Sequence, residues 1–112
     1  MIKFKSLNKS LHFLKILKKR KLNTKYFTIY FDKNLKNIDQ YLNISFVMKK
    51  KIGIAVKRNK IRRRLKAIVH KLLKIKGAIN SNYTYIVFGK SKAYEKNHKI
   101  LFPAMQKSFD KF

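Results

Sequence analysis

The chain has no cysteine, no tryptophan, one proline and three glycines in 112 residues. Without cysteine there is no disulfide, no thiolate metal site and no cysteine nucleophile, and nothing from which to infer a redox compartment. Acids are nearly as scarce, with only Asp32, Asp39, Glu95 and Asp110. Four carboxylates scattered along a chain argue against a protein-built acid/base pair or carboxylate metal centre. Apolar runs are short, and none approaches the roughly 20 residues a membrane-spanning helix needs. Lys3, Lys5 and Lys9 lie near the start, but no long apolar stretch or small-residue cleavage site follows them. No signal peptide is expected, and a cytoplasmic location is.

What the chain has in abundance is positive charge: 30 Lys+Arg, for a formal net charge of +26. Self-repulsion on that scale calls for a polyanionic partner. With 46% hydrophobic and 13% aromatic residues the chain is too apolar for a disordered basic tail. Its length suits one domain, residues 1–112. A folded, aromatic-rich basic domain without lipidation signals points to nucleic acid rather than a membrane surface. Lys outnumbers Arg 25 to 5, as a compositional bias toward AT-rich codons produces. Single lysines therefore carry little information, and arginines carry more.

Residues 8–20 have apolar side chains near the helical period (Leu11, Leu14 or Ile16, Leu17), with Asn8 or Ser10 as a cap. Residues 26–31 (YFTIYF) read as a strand, with Tyr26, Thr28 and Tyr30 on one face and Phe27, Ile29 and Phe31 on the other. Residues 32–40 are turn-like. Residues 41–48 form a second strand with Leu42, Ile44, Phe46 and Met48 sharing a face, and the stretch to Val56 reads as a turn and a short strand around Gly53. Residues 58–75 are the clearest helix, with Ile61, Leu65, Ile68, Val69 and Leu72 in one stripe. Arg58 and Arg62 border that stripe. Lys60, Arg63, Arg64, Lys66, His70 and Lys71 take the remaining surface. Residues 83–88 are a strand and 93–112 a last helix, with Pro103 in its interior. The sum is an α+β domain.

Residues 49–66 (KKKIGIAVKRNKIRRRLK) hold ten Lys or Arg in 18 positions. Like charges at i,i+3 and i,i+4 destabilise a free helix, and a phosphate backbone reverses that cost. Four of the five arginines fall within residues 58–64. Arg58, Arg62 and Arg63 can each grip a phosphate with two N–H groups, which Lys cannot copy. Of the aromatics most are core, and the tyrosine face of 26–31 is the better candidate for a wet groove that stacks single-stranded RNA. His12, His70 and His98 have no metal-ligand spacing. No glycine-rich phosphate loop or nucleophile elbow is present. The chain does not read as a self-sufficient enzyme, and no catalytic or metal-ligating residue is assigned in it.

Residues 45–68 (SFVMKKKIGIAVKRNKIRRRLKAI) resemble the signature of the bacterial ribonuclease P protein component, V-x-K-K-x-G-x-A-V-x-R-N-R-x-K-R. Lys50, Lys51, Gly53, Ala55, Val56, Arg58, Asn59, Lys60, Arg62 and Arg63 fill the matching positions. The flanks agree: Ser10–Phe13, the aromatic strand 26–31, and a strand ending at Ile86–Lys90. Lys60 stands where Arg is usual, Arg20 where a Gly commonly ends the first helix, Ala67 where Glu or Gln is usual, and Leu17 where a second aromatic often sits.

The resemblance implies a single αβββαβα sandwich around a central, mostly antiparallel sheet. It also implies a left-handed βαβ crossover, an exception to the usual hand, in the manner of a ribosomal-protein S5 domain 2-like fold. It implies a catalytic RNA that removes the 5′ leader of precursor tRNA with Mg²⁺ held mainly by the RNA, one protein per RNA. On that reading Lys50, Lys51, Lys57, Arg58, Asn59, Lys60, Arg62, Arg63 and Lys66 bind the catalytic RNA. The position of Phe13 lies in the leader cleft, to which Tyr30 and Lys90 are added as candidates from the residues themselves. The alternative is a non-catalytic ribosomal protein that binds rRNA. A DNA-compacting protein and a stand-alone ribonuclease using His12 or His98 are further rivals.

Overall fold

The structure, a computed structural model, describes residues 3–5, 15–18, 20–33, 41–75, 77–79 and 83–111. Five strands form one sheet: β1 (Lys3–Lys5), β2 (Arg20–Asn23), β3 (Phe27–Lys33), β4 (Tyr41–Val47) and β5 (Tyr83–Gly89), in the order β1-β4-β5-β3-β2. Helix α1 (Ala55–Leu73) joins β4 to β5, and helix α2 (His98–Phe109) closes the chain. The β2/β3 and β3/β5 pairs are antiparallel, while β1/β4 and β4/β5 are parallel. The sheet is therefore mixed, with most of its paired residues in the antiparallel pairs. The parallel neighbours β4 and β5, linked through α1, make the βαβ crossover that the resemblance implied.

The apolar stripe of α1 is fully turned inward: Ile61, Leu65, Ile68, Val69 and Leu72 are all buried. Each such side chain contributes roughly 1.5–3 kcal/mol relative to exposure. They cover the sheet face formed by Phe27 and Ile29 of β3, Ile44 of β4, and Tyr85 and Val87 of β5. Leu101, Met105 and Phe109 of α2 complete this core. The Phe109 ring meets Tyr85 edge-on, with centroids 5.0 Å apart. Burial, and secondarily the neighbouring Tyr83, push the Tyr85 phenol above its ordinary pKa, so it packs as a neutral group.

Gly89 ends β5 where the sheet passes closest to α1. A Cβ there would press into Met48 Sδ and lie 2.9 Å from Ile61 Cγ2. Gly89→Ala should therefore lower the unfolding free energy by about 1–3 kcal/mol, the usual cost of overpacking. Urea denaturation measures it. An unchanged midpoint would mean that α1 and β4 yield at this point.

Several elements differ from the sequence reading. The stretch around Gly53 is not a strand. A 3-10 turn (Lys50–Ile52) follows β4 and ends at Gly53, whose φ of 146° suits glycine alone. Helix α1 then starts at Ala55, three residues earlier than its charge pattern suggested. Ile54 and Val56, which read as strand interior, are 73% and 71% exposed. The last helix is shorter than 93–112: Ser91–Tyr94 is a separate 3-10 turn, and α2 begins at His98. Pro103 is accommodated inside α2 on its exposed side. Ile100 is exposed, whereas Ser108 is buried with its hydroxyl donating to the Ala104 carbonyl. Of the first helix only a turn at residues 15–17 is described, with Ile16 buried. The chain is already in β2 at Arg20, where the helix was expected to end.

Candidate nucleic-acid interface

The alternation in β3 places Phe27 and Ile29 in the core and leaves Thr28 and Tyr30 half-buried on the opposite face, while Tyr26, just before the strand, packs against the core instead of joining the tyrosine face read from the sequence. In the β3/β5 register Thr28 stands opposite Phe88, and Tyr30 opposite Ile86. Tyr30 thus reaches the Phe88 ring diagonally, with centroids 5.4 Å apart and planes inclined at 66°. Around this aromatic pair lies an open cleft of about 350 Å³. Its remaining walls are Lys49, Lys51 and Ile52 from the 3-10 turn after β4, and Gly89, Lys90 and Ser91 from the end of β5. Lys49 Nζ sits 5.3 Å from the Phe88 ring centroid, a cation–π contact. Among the described residues no acid lines the cleft. Its chemistry is an aromatic floor under an excess of ammonium groups, which suits a flat base joined to a phosphate.

Lys90 is held on one side of this cleft. Its Nζ donates to Asn23 Oδ1 and to the Thr24 carbonyl oxygen, and its backbone N–H donates to Tyr26 O at 2.9 Å. The β2–β3 turn it grips is itself locked by Thr24. The Thr24 hydroxyl donates to Phe27 O and accepts from the Tyr26 and Phe27 N–H groups. Lys90 therefore ties β5 to the hairpin and presents a fixed charge, with part of its donor capacity already used.

The cleft runs into the N-terminal end of α1 through Lys51 and Ser91, because Lys57 Nζ donates to Ser91 Oγ at 3.0 Å. Along α1, Asn59, Lys60, Arg63 and Lys66 are exposed, and Lys57, Arg58 and Arg62 are half-buried. Arg62 Nη1 donates to Asn59 Oδ1 at 2.9 Å, so Asn59 orients a guanidinium. Arg58 Nε is buried without a hydrogen-bond partner among the described residues. Lys50 and Lys51 are exposed in the preceding turn.

Of the sites read from sequence, the structure brings Tyr30, Lys90 and Lys51 together in one cleft and arrays the others along α1. Phe13, with Ser10 and His12, lies outside the described residues. His98 stacks on Phe102 within α2, with centroids 5.1 Å apart, and His70 is exposed on α1. Sequence reasoning put Lys49 in the basic run and Phe88 among the aromatics without placing either in the cleft, and it missed Ser91. Period-two alternation separates Phe88 from Val87, but only the β3/β5 register shows that Phe88 adjoins Tyr30. Among the described residues there is no group of three or more His, Asp or Glu that could hold a metal ion. Nor, among them, is any helix long and apolar enough to cross a membrane.

Comparison with known proteins extends this picture. A search of curated proteins finds no significant sequence match. Among solved structures, the RNase P protein of Staphylococcus aureus superposes with a TM-score of 0.64 at 26% identity, covering 95% of this chain and 89% of that one. The RNase P protein from Thermotoga maritima gives a TM-score of 0.67 at 24% identity, over 96% and 97% of the two chains. No feature of the fold or of these relatives favours the ribosomal alternative. The family profile described as Ribonuclease P matches residues 1–112, the whole chain. The chain therefore belongs to the ribonuclease P protein family, as a subunit that works in tRNA processing with an RNA partner inside the ribonuclease P complex.

Proposed function

We propose that this subunit supplies two adjoining RNA-binding surfaces to a catalytic RNA. The cationic face of α1 binds that RNA and screens its phosphates. The Tyr30–Phe88 cleft takes the single-stranded 5′ leader of precursor tRNA. Phosphodiester hydrolysis takes place on the RNA subunit, which holds the Mg²⁺, and one protein serves one RNA in the cytoplasm. The observation that carries the reading is the cleft itself: two half-buried aromatics lined by Lys49, Lys51 and Lys90, with no acid among the described residues, opening onto the N-terminus of α1. Leader stacking would add affinity for precursor that mature tRNA cannot share, which also frees the product.

Each stacked base is worth roughly 1–3 kcal/mol. The assembled holoenzyme should accordingly bind precursor tRNA about fivefold or more tightly than mature tRNA, the conversion of the lower end of that range. Equilibrium binding at fixed ionic strength measures it, since counterion release makes all such affinities salt-dependent. Equal affinities would remove the leader from the account.

A further inference from the structure

Arg64 belongs to the basic run of α1, yet its guanidinium does not point into solvent. Nη1 reaches across to the segment after β5 and donates to the backbone carbonyls of Tyr94 (2.5 Å), Lys96 (3.0 Å) and Ala93 (3.5 Å). These carbonyls lie at and just beyond the C-terminal end of the 3-10 turn Ser91–Tyr94, where a helix lacks donors of its own. The other end of the same turn is held from α1 as well, by Lys57 Nζ on Ser91 Oγ. The Tyr94 ring receives two cations: Lys57 Nζ and Lys60 Nζ each lie 5.2 Å from its centroid. Residues 57, 60 and 64 share one face of α1, and all three side chains end on this four-residue turn.

Lys57 and Lys60 are like charges three residues apart, which repel on a free helix. The π system of the Tyr94 ring offsets that repulsion and holds both ammoniums within 5.2 Å of its centroid. Lys60 is exposed and Lys57 half-buried, so the pair stays within reach of a ligand. A phosphate group there would accept charge-assisted bonds from both.

We propose that Arg64 is a positioning residue for RNA binding: it fixes the Ser91–Tyr94 turn, whose Tyr94 ring and Ser91 hydroxyl hold Lys57 and Lys60 around one phosphate of the RNA backbone. This rests on the reading that α1 faces the catalytic RNA. Arg64 itself touches backbone carbonyls, not phosphate. Lysine keeps the charge, but its side chain is one bond shorter than the path to Nη1 and lacks the planar head that directs it.

The test is a double-mutant cycle read by affinity for the ribonuclease P RNA at matched salt. Arg64→Lys should weaken binding about tenfold, the size of one misplaced charge-assisted bond. In a Lys57→Ala/Lys60→Ala background the same change should have no further effect. Tyr94→Leu should reproduce the loss and Tyr94→Phe should restore binding, because the phenyl face still accepts the cations. Wild-type affinity in Arg64→Lys, or an equal loss in both backgrounds, overturns the proposal. Amide exchange of Ala93, whose N–H closes the turn on Lys90 O at 3.0 Å, reads the clamp in the free protein. It should speed up in Arg64→Lys, and unchanged exchange overturns the clamp whatever the RNA does. If exchange speeds up while Lys57→Ala/Lys60→Ala leaves RNA affinity intact, the clamp stands, but this end of α1 does not face RNA. The positioning role then falls with the reading beneath it.

Discussion

Replacing Arg58 and Arg62 together by alanine should weaken binding of this subunit to its catalytic RNA by about a hundredfold and leave the protein folded. Two charge-assisted contacts at roughly 1.5–3 kcal/mol each set that scale. The two residues lie one turn apart on α1, half-buried at the border of the apolar stripe. Arg62 is aimed by Asn59. Arg58 Nε has no hydrogen-bond partner among the described residues, so its removal forfeits no hydrogen bond to them there. The fold should survive because the stripe from Ile61 to Leu72 is untouched. A salt titration separates contact from general charge: each lost phosphate contact lowers the slope of log K against log salt by about 0.7–0.9. Unchanged affinity and slope in the double variant would take this face of α1 out of the RNA interface.

The second large effect concerns the cleft. Tyr30→Ala should reduce holoenzyme affinity for precursor tRNA by about tenfold or more, within the range of one lost stacking contact. It should leave affinity for mature tRNA as it was. Tyr30 packs its edge against Phe88 on the face away from the core, so the substitution opens the cleft without opening the sheet. Tyr30→Phe should keep the preference for precursor, because the ring rather than the hydroxyl stacks. A uniform loss on both RNAs would mean that Tyr30 supports the fold or the catalytic-RNA surface instead.

The two predictions draw on parts of the chain that were legible to different degrees. The stripe of α1 was fully readable, because five apolar side chains at helical spacing have one way to be buried. The division of β3 into a phenylalanine face and a tyrosine face followed from period-two alternation. The start of α1 was not readable. Ile54, Ala55 and Val56 are apolar and suggest a buried strand, yet they form the exposed entry to a helix set by the unusual backbone of Gly53. β2 (RKLN) has no apolar alternation to announce it. It exists because β3 offers backbone partners and Thr24 locks the turn between them. Phe88 and Arg64 were hidden for a related reason. Their roles depend on which strand or turn lies beside them, and that is a property of sheet order, not of local pattern.

The measurement that bears most directly on the central claim is cleavage of a precursor tRNA at low, near-physiological Mg²⁺. The reaction is run with this chain alone, with its ribonuclease P RNA alone, and with both. The account predicts that the protein alone is inert and that the mixture releases the 5′ leader at the mature junction faster than the RNA does by itself. A mixture no faster than the RNA, with that RNA shown to be active at high Mg²⁺, would contradict it, as would leader removal by the protein without RNA.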